Sequence, residues 1–430
     1  MAENFKTVAQ TLELLEGNTY DETFKMLYSQ DNVNEQKLRY KRVAESFVQL
    51  YGEAEEAGFF SSPGRTEIGG NHTDHNKGRV LAASVNLDAI ALAAKNDENI
   101  VRVKSEGYKM DVVDLNELEP KENEIGRSAS LVRGVCAEFK RRGYNVGGFN
   151  AATASQVLSG SGVSSSAAFE VLVGTMLNHL YNDGKVDAVE IAQIAQKAEN
   201  EFFGKPCGLM DQTACSVGSF VEIDFENPDA PVIEKVEFDF ASCGHSLCII
   251  NTGGSHSDLT DEYAAVRGEM EAAAACLGKS VLRQTELEDV VTSIPAIRES
   301  CGDRAVLRAL HFHADNARVL KEAAALRNND FEAFKALIIE SGNSSYMYNQ
   351  NVYTCSNPAA QPVSLGLALC DMILKGKGAW RVHGGGFAGT IQAFVPNNIL
   401  GEFKSVMQNV FGEKSCYVLS IRPVGGIRVI

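Results

Sequence analysis

What most limits the fold of this chain is the order of its apolar runs. Strand-like and helix-like segments come in groups rather than in strict alternation. The first fifty residues carry helical spacing, with Val8, Leu12, Leu14 and Leu15 followed by a second segment around Phe47 and Leu50. Two β-branched, apolar stretches of strand length come next, RVLAASVNLDAIALAA and NIVRVKSEG. SASLVRGVCAEFKRRG then reads as a helix closed by Gly143, with basic residues in its last turn. Asp187 sits where a cap would start the helix AVEIAQIAQKAENEFFG, whose Val189, Ile191, Ile194, Ala195, Ala198 and Phe202 recur at helical spacing. GSFVEIDF and HSLCIINTGG are short buried-strand patterns. They precede three strongly helical runs, DEYAAVRGEMEAAAACLG, DRAVLRALHFHADNARVLKEAAALR and FEAFKALIIES. The chain ends on strand patterns again, GTIQAFVP and SCYVLSIRPVGGIRVI. Without regular βαβ alternation this order predicts an α+β fold, not a doubly wound α/β one.

At 430 residues the chain has room for two domains or one two-lobed unit, and the expected division is 1–225 and 226–430. Its net charge of −16, from 40 basic and 56 acidic residues, argues against a nucleic-acid or anionic-membrane partner. An anionic ligand must then be held by a local arrangement. The opening MAENFKTVAQTLELLEG has no cationic region followed by an apolar run, and no apolar run approaches the roughly 20 residues of a membrane span. Ten cysteines are scattered with no C-x-x-C pair, which reads as reduced thiols of a cytoplasmic protein. Cys207 reads as a small apolar filler rather than a nucleophile.

Four stretches carry chemistry. SSPGRTEIGGNHTDHNKG, read as a loop, gathers Arg65, Asn71, His72, Asp74, His75 and Asn76, side chains that recognise polar ligands. LSGSGVSSSAAFEV loosens the backbone at Gly160 and Gly162 and sets three serines where a helix beginning near Ala167 has free amides. Free amides at the positive end of a helix dipole suit a phosphate, although no G-K-[ST] follows the glycines. HGGGFAG allows a close backbone approach, to a ligand or to another segment of the chain. In AENEFFGKPCGLMDQ, Glu199 is a candidate cation ligand and Asp211, among apolar neighbours, a candidate proton acceptor. Phosphoryl transfer needs a phosphate cradle, cation ligands, a positive group and a residue that positions the acceptor hydroxyl. Ser166 with Glu199, Arg65 and Asp211 fill those places, and the Asn71–Asp74 run suits a hydroxyl-rich acceptor such as a sugar.

These motifs resemble a known family. PGRTEIGGNHTDHNKG resembles the galactokinase signature, GSGVSSSAA the phosphate loop of the GHMP small-molecule kinases, and HGGGFAG their C-terminal glycine motif. The resemblance, also visible in AENEFFGKPCGLMDQ and SHSDLTDEYAAVR, runs in order from about Ser62 to the last strand. It implies a two-lobed α+β fold with the N-terminal lobe like domain 2 of ribosomal protein S5, ATP and Mg²⁺ as cofactors, and 1-phosphorylation of a monosaccharide such as D-galactose. It implies Asp211 and Arg65 as the catalytic pair. Ser166 and Glu199 would hold Mg²⁺. Gly160, Ser161, Gly162, Val163, Ser164, Ser165 and Ser166, with Gly385 and Gly386, would bind the nucleotide. Asn71, His72, Asp74, His75, Gly208 and Tyr263 would line the sugar site.

Three departures bear on the sugar. Asn71 stands where galactokinases usually have Glu, His75 where they have Tyr, and YMYNQNVYTCSNPAAQP lacks their acidic run. Asn removes a charge that would repel a C6 carboxylate, so a galacturonate 1-kinase is the alternative to a galactose kinase. A non-catalytic sugar and ATP sensor is a second alternative, against which the intact serine loop and Asp211 speak. His256, His311 and His313 do not read as a metal site, because residues 311 and 313 face different sides of one helix. The expected state is a monomer or weak oligomer.

Overall fold

The long apolar run after residue 78 forms a strand, buried over most of its length, that anchors the fold. The computed structural model describes residues 5–28, 32–157, 163–253, 259–387 and 389–430. Helices α1 (Val8–Glu16), α2 (Asp21–Tyr28) and α3 (Val33–Tyr51) precede strands β1 (Ala57–Gly69) and β2 (Arg79–Lys95). Then come β3 (Ile100–Ser105), β4 (Met110–Asp114), α4 (Ser128–Arg141), β5 (Phe149–Ser155), α5 (Ser165–Tyr181) and α6 (Ala188–Lys197). A π-helical turn, Ala198–Phe203, leads toward α7 (Met210–Val217). Strands β6 (Phe220–Asp224), β7 (Val232–Val236) and β8 (His245–Asn251) follow. The helices α8 (Thr260–Cys276), α9 (Leu287–Thr292), α10 (Ile294–Cys301), α11 (Asp303–Arg327) and α12 (Phe331–Ser344) come next. A second π-helical turn, Ser345–Asn349, precedes α13 (Pro362–Leu374), β9 (Ala379–His383), β10 (Thr390–Pro396), α14 (Leu400–Phe411), β11 (Cys416–Leu419) and β12 (Ile427–Arg428).

The chain divides into two compact units, the first of residues 1–65, 84–219 and 422–430, the second of 66–83 and 220–421. The expected single cut near 225/226 falls close to the 219/220 crossing. Segments 66–83 and 422–430 lie across it, because β1 and β2 each give residues to both units and β12 returns to pair with β1 at Phe60 and Ser61.

In the first unit the strand order is β12-β1-β2-β5-β3-β4, with β5 antiparallel to β2 and parallel to β3. Successive residues of β1 serve opposite faces, as the period of a strand requires. Phe59 joins Tyr40, Phe47, Ile90 and Leu92 in the core under α1–α3, whereas the Phe60 ring lies 6.1 Å from that of His179 on α5. Asp88 of β2, fully buried, fastens α3 to the sheet through Arg39 at 2.6 Å and receives Arg422 at 3.1 Å. Asp187 caps α6 by accepting from the amides of Val189 and Glu190, and Gly143 turns the chain after α4 at φ +84°, both as the sequence suggests.

In the second unit the start of β2 pairs with β6, and β6 with β7. A separate antiparallel sheet runs β11-β8-β10-β9. Its Cys248, Ile250, Val382, Ile391 and Ala393 face Val363, Cys370, Phe403 and Met407 of α13 and α14. Another core joins α8 through Met270 and Ala273 to α10 and α11 through Ile297, Ala305 and Phe312. The architecture is α+β.

Candidate active site

Ser61 to Gly69, which gives residues 61–65 to the first unit, is strand, not the loop suggested by Pro63, Gly64 and Gly69. Arg65 therefore projects from a rigid element. Its amide donates to the carbonyl of Val163 at 3.0 Å, and a Cβ on Gly64 would meet that same oxygen at 2.7 Å. Gly64 is thus required for β1 to approach the serine loop so closely. The Arg65 guanidinium grips Asp211 on both oxygens, Nε to Oδ1 at 2.7 Å and Nη2 to Oδ2 at 2.8 Å. The Ser164 hydroxyl donates to Oδ2 as well. Ser164 holds φ +59°, a conformation a serine rarely adopts, and so carries strain to put its hydroxyl there.

Burial works to raise the Asp211 carboxyl, but the Arg65 charge and bonds, Ser164 and Lys205 outweigh it and bring it below the ordinary carboxylate value. The side chain stays 27% exposed, enough to be reached.

Helix α5 begins at Ser165, two residues before the expected start, leaving the first-turn amides beside Ser164, Ser165 and Ser166. Val163 is buried and the three serines half-buried; Gly160, Ser161 and Gly162 lie outside the described residues. The Ser166 hydroxyl donates to Glu199 Oε1 at 3.0 Å, and Lys205 Nζ reaches the same oxygen at 3.1 Å. Glu199 is 2% exposed and comes from the π-helical turn that extends α6. These are oxygen donors of the kind Mg²⁺ takes, and the exposed Lys205 shows that the carboxylate already draws a cation. Burial, with Glu199 nearby, pushes the Cys207 thiol well up, which suits the filler reading. Gly208 is exposed in the turn before Asp211, in this unit.

The second unit holds Asn71, His72, Asp74, His75 and Tyr263. Asn71 is fully buried and its side chain is saturated. Its amide donates to Glu67 Oε1 at 3.0 Å and to the Gly384 carbonyl at 2.8 Å, while its oxygen accepts from Ser345 at 3.1 Å and Asn351 at 2.8 Å. Its backbone bonds Asp315 at 2.8 Å and His311 at 2.9 Å. With both amide hydrogens and its oxygen engaged inside the chain, the residue fixes the loop.

His72 follows at φ +61° and donates from Nε2 to the Gly385 carbonyl at 2.8 Å. Burial, then the neighbouring His75, lowers its pKa to about 4. A neutral ring donating from Nε2 leaves Nδ1 as an acceptor. Asp74 is half-buried, and His75 is exposed with Nε2 3.8 Å from Asp74. Asn76 ties the loop down, accepting from the Leu282 amide at 3.0 Å.

The HGGGFAG turn meets these residues. Tyr263, its phenol raised by burial to about 12, donates to the Gly386 carbonyl at 2.7 Å. A Cβ on Gly386, at φ +82°, would lie 1.9 Å from the Asn351 carbonyl. The need for glycine at 386 is therefore met inside this unit, by the close approach of Asn351. Sequence reasoning missed Ser164 as the bonding partner of Asp211, Lys205, and the Glu67–Arg381–Asn351 surroundings of Asn71. It separated His311 from His313 correctly: the first bonds Asn71 and Ser344, the second Thr285. His256 lies outside the described residues.

A serine loop heading a helix, a serine–glutamate pair and an arginine-clamped aspartate on this fold define the class, a small-molecule kinase of the GHMP type. Residues 130–219 match the GHMP kinases N terminal domain and residues 45–95 the galactokinase galactose-binding signature. A galactokinase of Streptomyces coelicolor is 30% identical over 394 residues, 90% of this chain and 97% of its own length. One of Glaesserella parasuis is 32% identical, over 82% and 88%. Lactococcus lactis galactokinase complexed with galactose superimposes with a TM-score of 0.73 at 26% identity, covering 89% of this chain and 98% of that one. A Methanococcus jannaschii mevalonate kinase shares the fold, at 14% identity and a TM-score of 0.60 over 84% of this chain and 98% of its own. The chain belongs to the galactokinase family.

Proposed function

We propose that this protein transfers the γ-phosphoryl group of ATP to the anomeric hydroxyl of D-galactose, releasing ADP and galactose 1-phosphate. The observation that carries the reading is the Asp211 carboxylate gripped on both oxygens by Arg65 and touched by Ser164. An acceptor hydroxyl is oriented by Asp211 and attacks the γ-phosphorus. As the new O–P bond forms and the bond to the β-phosphate oxygen breaks, the hydroxyl proton passes to Asp211. A carboxylate held below its usual pKa is a weak base, so Asp211 acts first by orientation and takes the proton late, as a loose transition state permits. Arg65, always charged, steadies the charge that develops on the transferred group.

Ser166 and Glu199 would hold Mg²⁺, which neutralises phosphate charge when bound. The first-turn amides of α5 suit the nucleotide phosphates. For the sugar, His72 Nδ1, Asp74 and the Tyr263 side of the glycine turn supply neutral and anionic hydrogen-bonding groups. The galacturonate alternative rests on Asn71 and His75; that the Asn71 amide is bonded within the chain supports galactose ahead of it. The net charge and the scattered free thiols support a cytoplasmic monomer or weak oligomer. Among the described residues no helix is long and apolar enough to cross a membrane.

The test is ADP release from MgATP with D-galactose, D-galacturonate, D-glucuronate, N-acetylgalactosamine and L-arabinose. Galactose should lead by kcat/KM. A uronate in first place would overturn the sugar assignment, and silence with every sugar would point to the sensor.

A further inference from the structure

Gln212 follows Asp211 on α7 and turns its side chain toward a different partner. It is fully buried. Its Nε2 lies 2.7 Å from Glu199 Oε2 and 3.2 Å from Glu170 Oε2, with Cys207 Sγ at 3.6 Å. The Glu199 carboxylate on the amide nitrogen fixes the amide orientation, since the reverse would set oxygen against oxygen. Glu199 is thus held from both ends. One oxygen meets Ser166 and Lys205, and the other meets Gln212. Glu170, fully buried on α5, lies behind the same amide. Adjacent residues of one short helix therefore bind the phosphoryl-transfer carboxylate partner, Arg65, and the candidate cation ligand, Glu199.

We infer that Gln212 is a positioning residue for the metal-bound nucleotide: its amide, backed by Glu170, sets the Glu199 carboxylate in the orientation that receives the divalent cation and links that orientation to Asp211. The inference rests on the proposed Ser166–Glu199 cation site. A carboxylate freed of its outer partner rotates, and loss of such a partner typically weakens metal affinity about 10- to 100-fold. Asp211 keeps Arg65 and Ser164 when the Gln212 side chain changes, so the two functions of α7 are separable by substitution.

The experiment is calorimetric titration of ADP, with and without Mg²⁺, into the wild-type chain, Gln212→Met and Gln212→Asn. Met keeps the volume and removes the donors; Asn keeps an amide on a shorter arm and guards against a variant that does not fold. The readout is the ratio of ADP affinity with Mg²⁺ to that without, accompanied by Tm and by KM for MgATP at low and high Mg²⁺. The wild type should show a Mg²⁺-dependent gain that falls about tenfold or more in either folded variant. KM for MgATP should rise more than kcat falls, and excess Mg²⁺ should restore part of it. A merely structural role would lower Tm and leave the ratio where it was. An unchanged ratio in a folded variant, with the wild type still Mg²⁺-dependent, overturns the positioning role alone. A wild type whose ADP affinity ignores Mg²⁺ overturns the cation site itself, and this inference with it.

Discussion

The Asp211 cluster of the first unit and the Asn71–His72 loop of the second treat buried polar groups differently. Around Asp211 the chain pairs full charges, so the carboxylate stays ionised despite burial. Around Asn71 it adds a saturated amide to the buried Glu67–Arg381 and Asp315–Arg318 pairs, beside a histidine lowered to about 4. Behind the loop, Glu322 is raised to about 8 by burial and by Asp315, and its carboxylate lies against Gly69. A group in transfer needs a fixed field, whereas hydroxyls are sorted by hydrogen-bond donors and acceptors.

Removing the charge from the first region should have the largest effect. Arg65→Met leaves Asp211 with Ser164 and distant Lys205, and kcat should fall about 10²- to 10³-fold while an acidic limb enters the pH–rate profile. An unchanged profile would mean that Arg65 does not set the ionisation of Asp211.

Adding a charge to the second region should act on stability instead. Asn71→Glu buries a carboxylate against Glu67 and the Gly384 carbonyl, which should cost about 3–5 kcal/mol and lower Tm by about 10 °C. The order of sugars should stay the same in any folded fraction. A stable variant with a new sugar preference would return Asn71 to the substrate site.

The neutral groups predict a pH signature of smaller size. The folded pKa of Glu322 lies above the unfolded one, so its stabilising contribution is complete below about pH 4.5 and is lost as pH rises toward 8. Glu322→Gln should therefore stabilise the chain by a few kcal/mol at pH 8 and by little at pH 5, read from urea midpoints. His72 runs the other way: its folded pKa is lowered, so stability falls as pH drops from about 6.5 toward 4. Last, Ser164→Ala removes one neutral donor to Asp211 and should lower kcat by roughly tenfold. No change at all would make that contact incidental.

Much of this was legible in the sequence because it is local. Asp187, Gly143 and the spacing across residues 303–327 announce helices through caps and period, and the structure has them. The serine loop and the aspartate motif name their chemistry by residue type. What escaped depends on partners far along the chain. Pro63 and two glycines mask the strand that holds Arg65, because pairing outweighs local propensity. The saturation of Asn71 comes from Ser345 and Asn351, and that of Asp88 from Arg39 and Arg422. No local pattern encodes such pairings, so the bonds that brace Asn71 cannot be read from its place beside a signature histidine.

The most direct measurement of the central claim sets galactose affinity beside turnover in Asp211→Asn. The account predicts turnover down about a thousandfold or more, with galactose bound within a few-fold of the wild type, since the other groups proposed for the sugar, His72, Asp74 and Tyr263, are unchanged. Turnover that survives the change, or affinity that collapses together with it, would contradict the assignment of Asp211 to phosphoryl transfer.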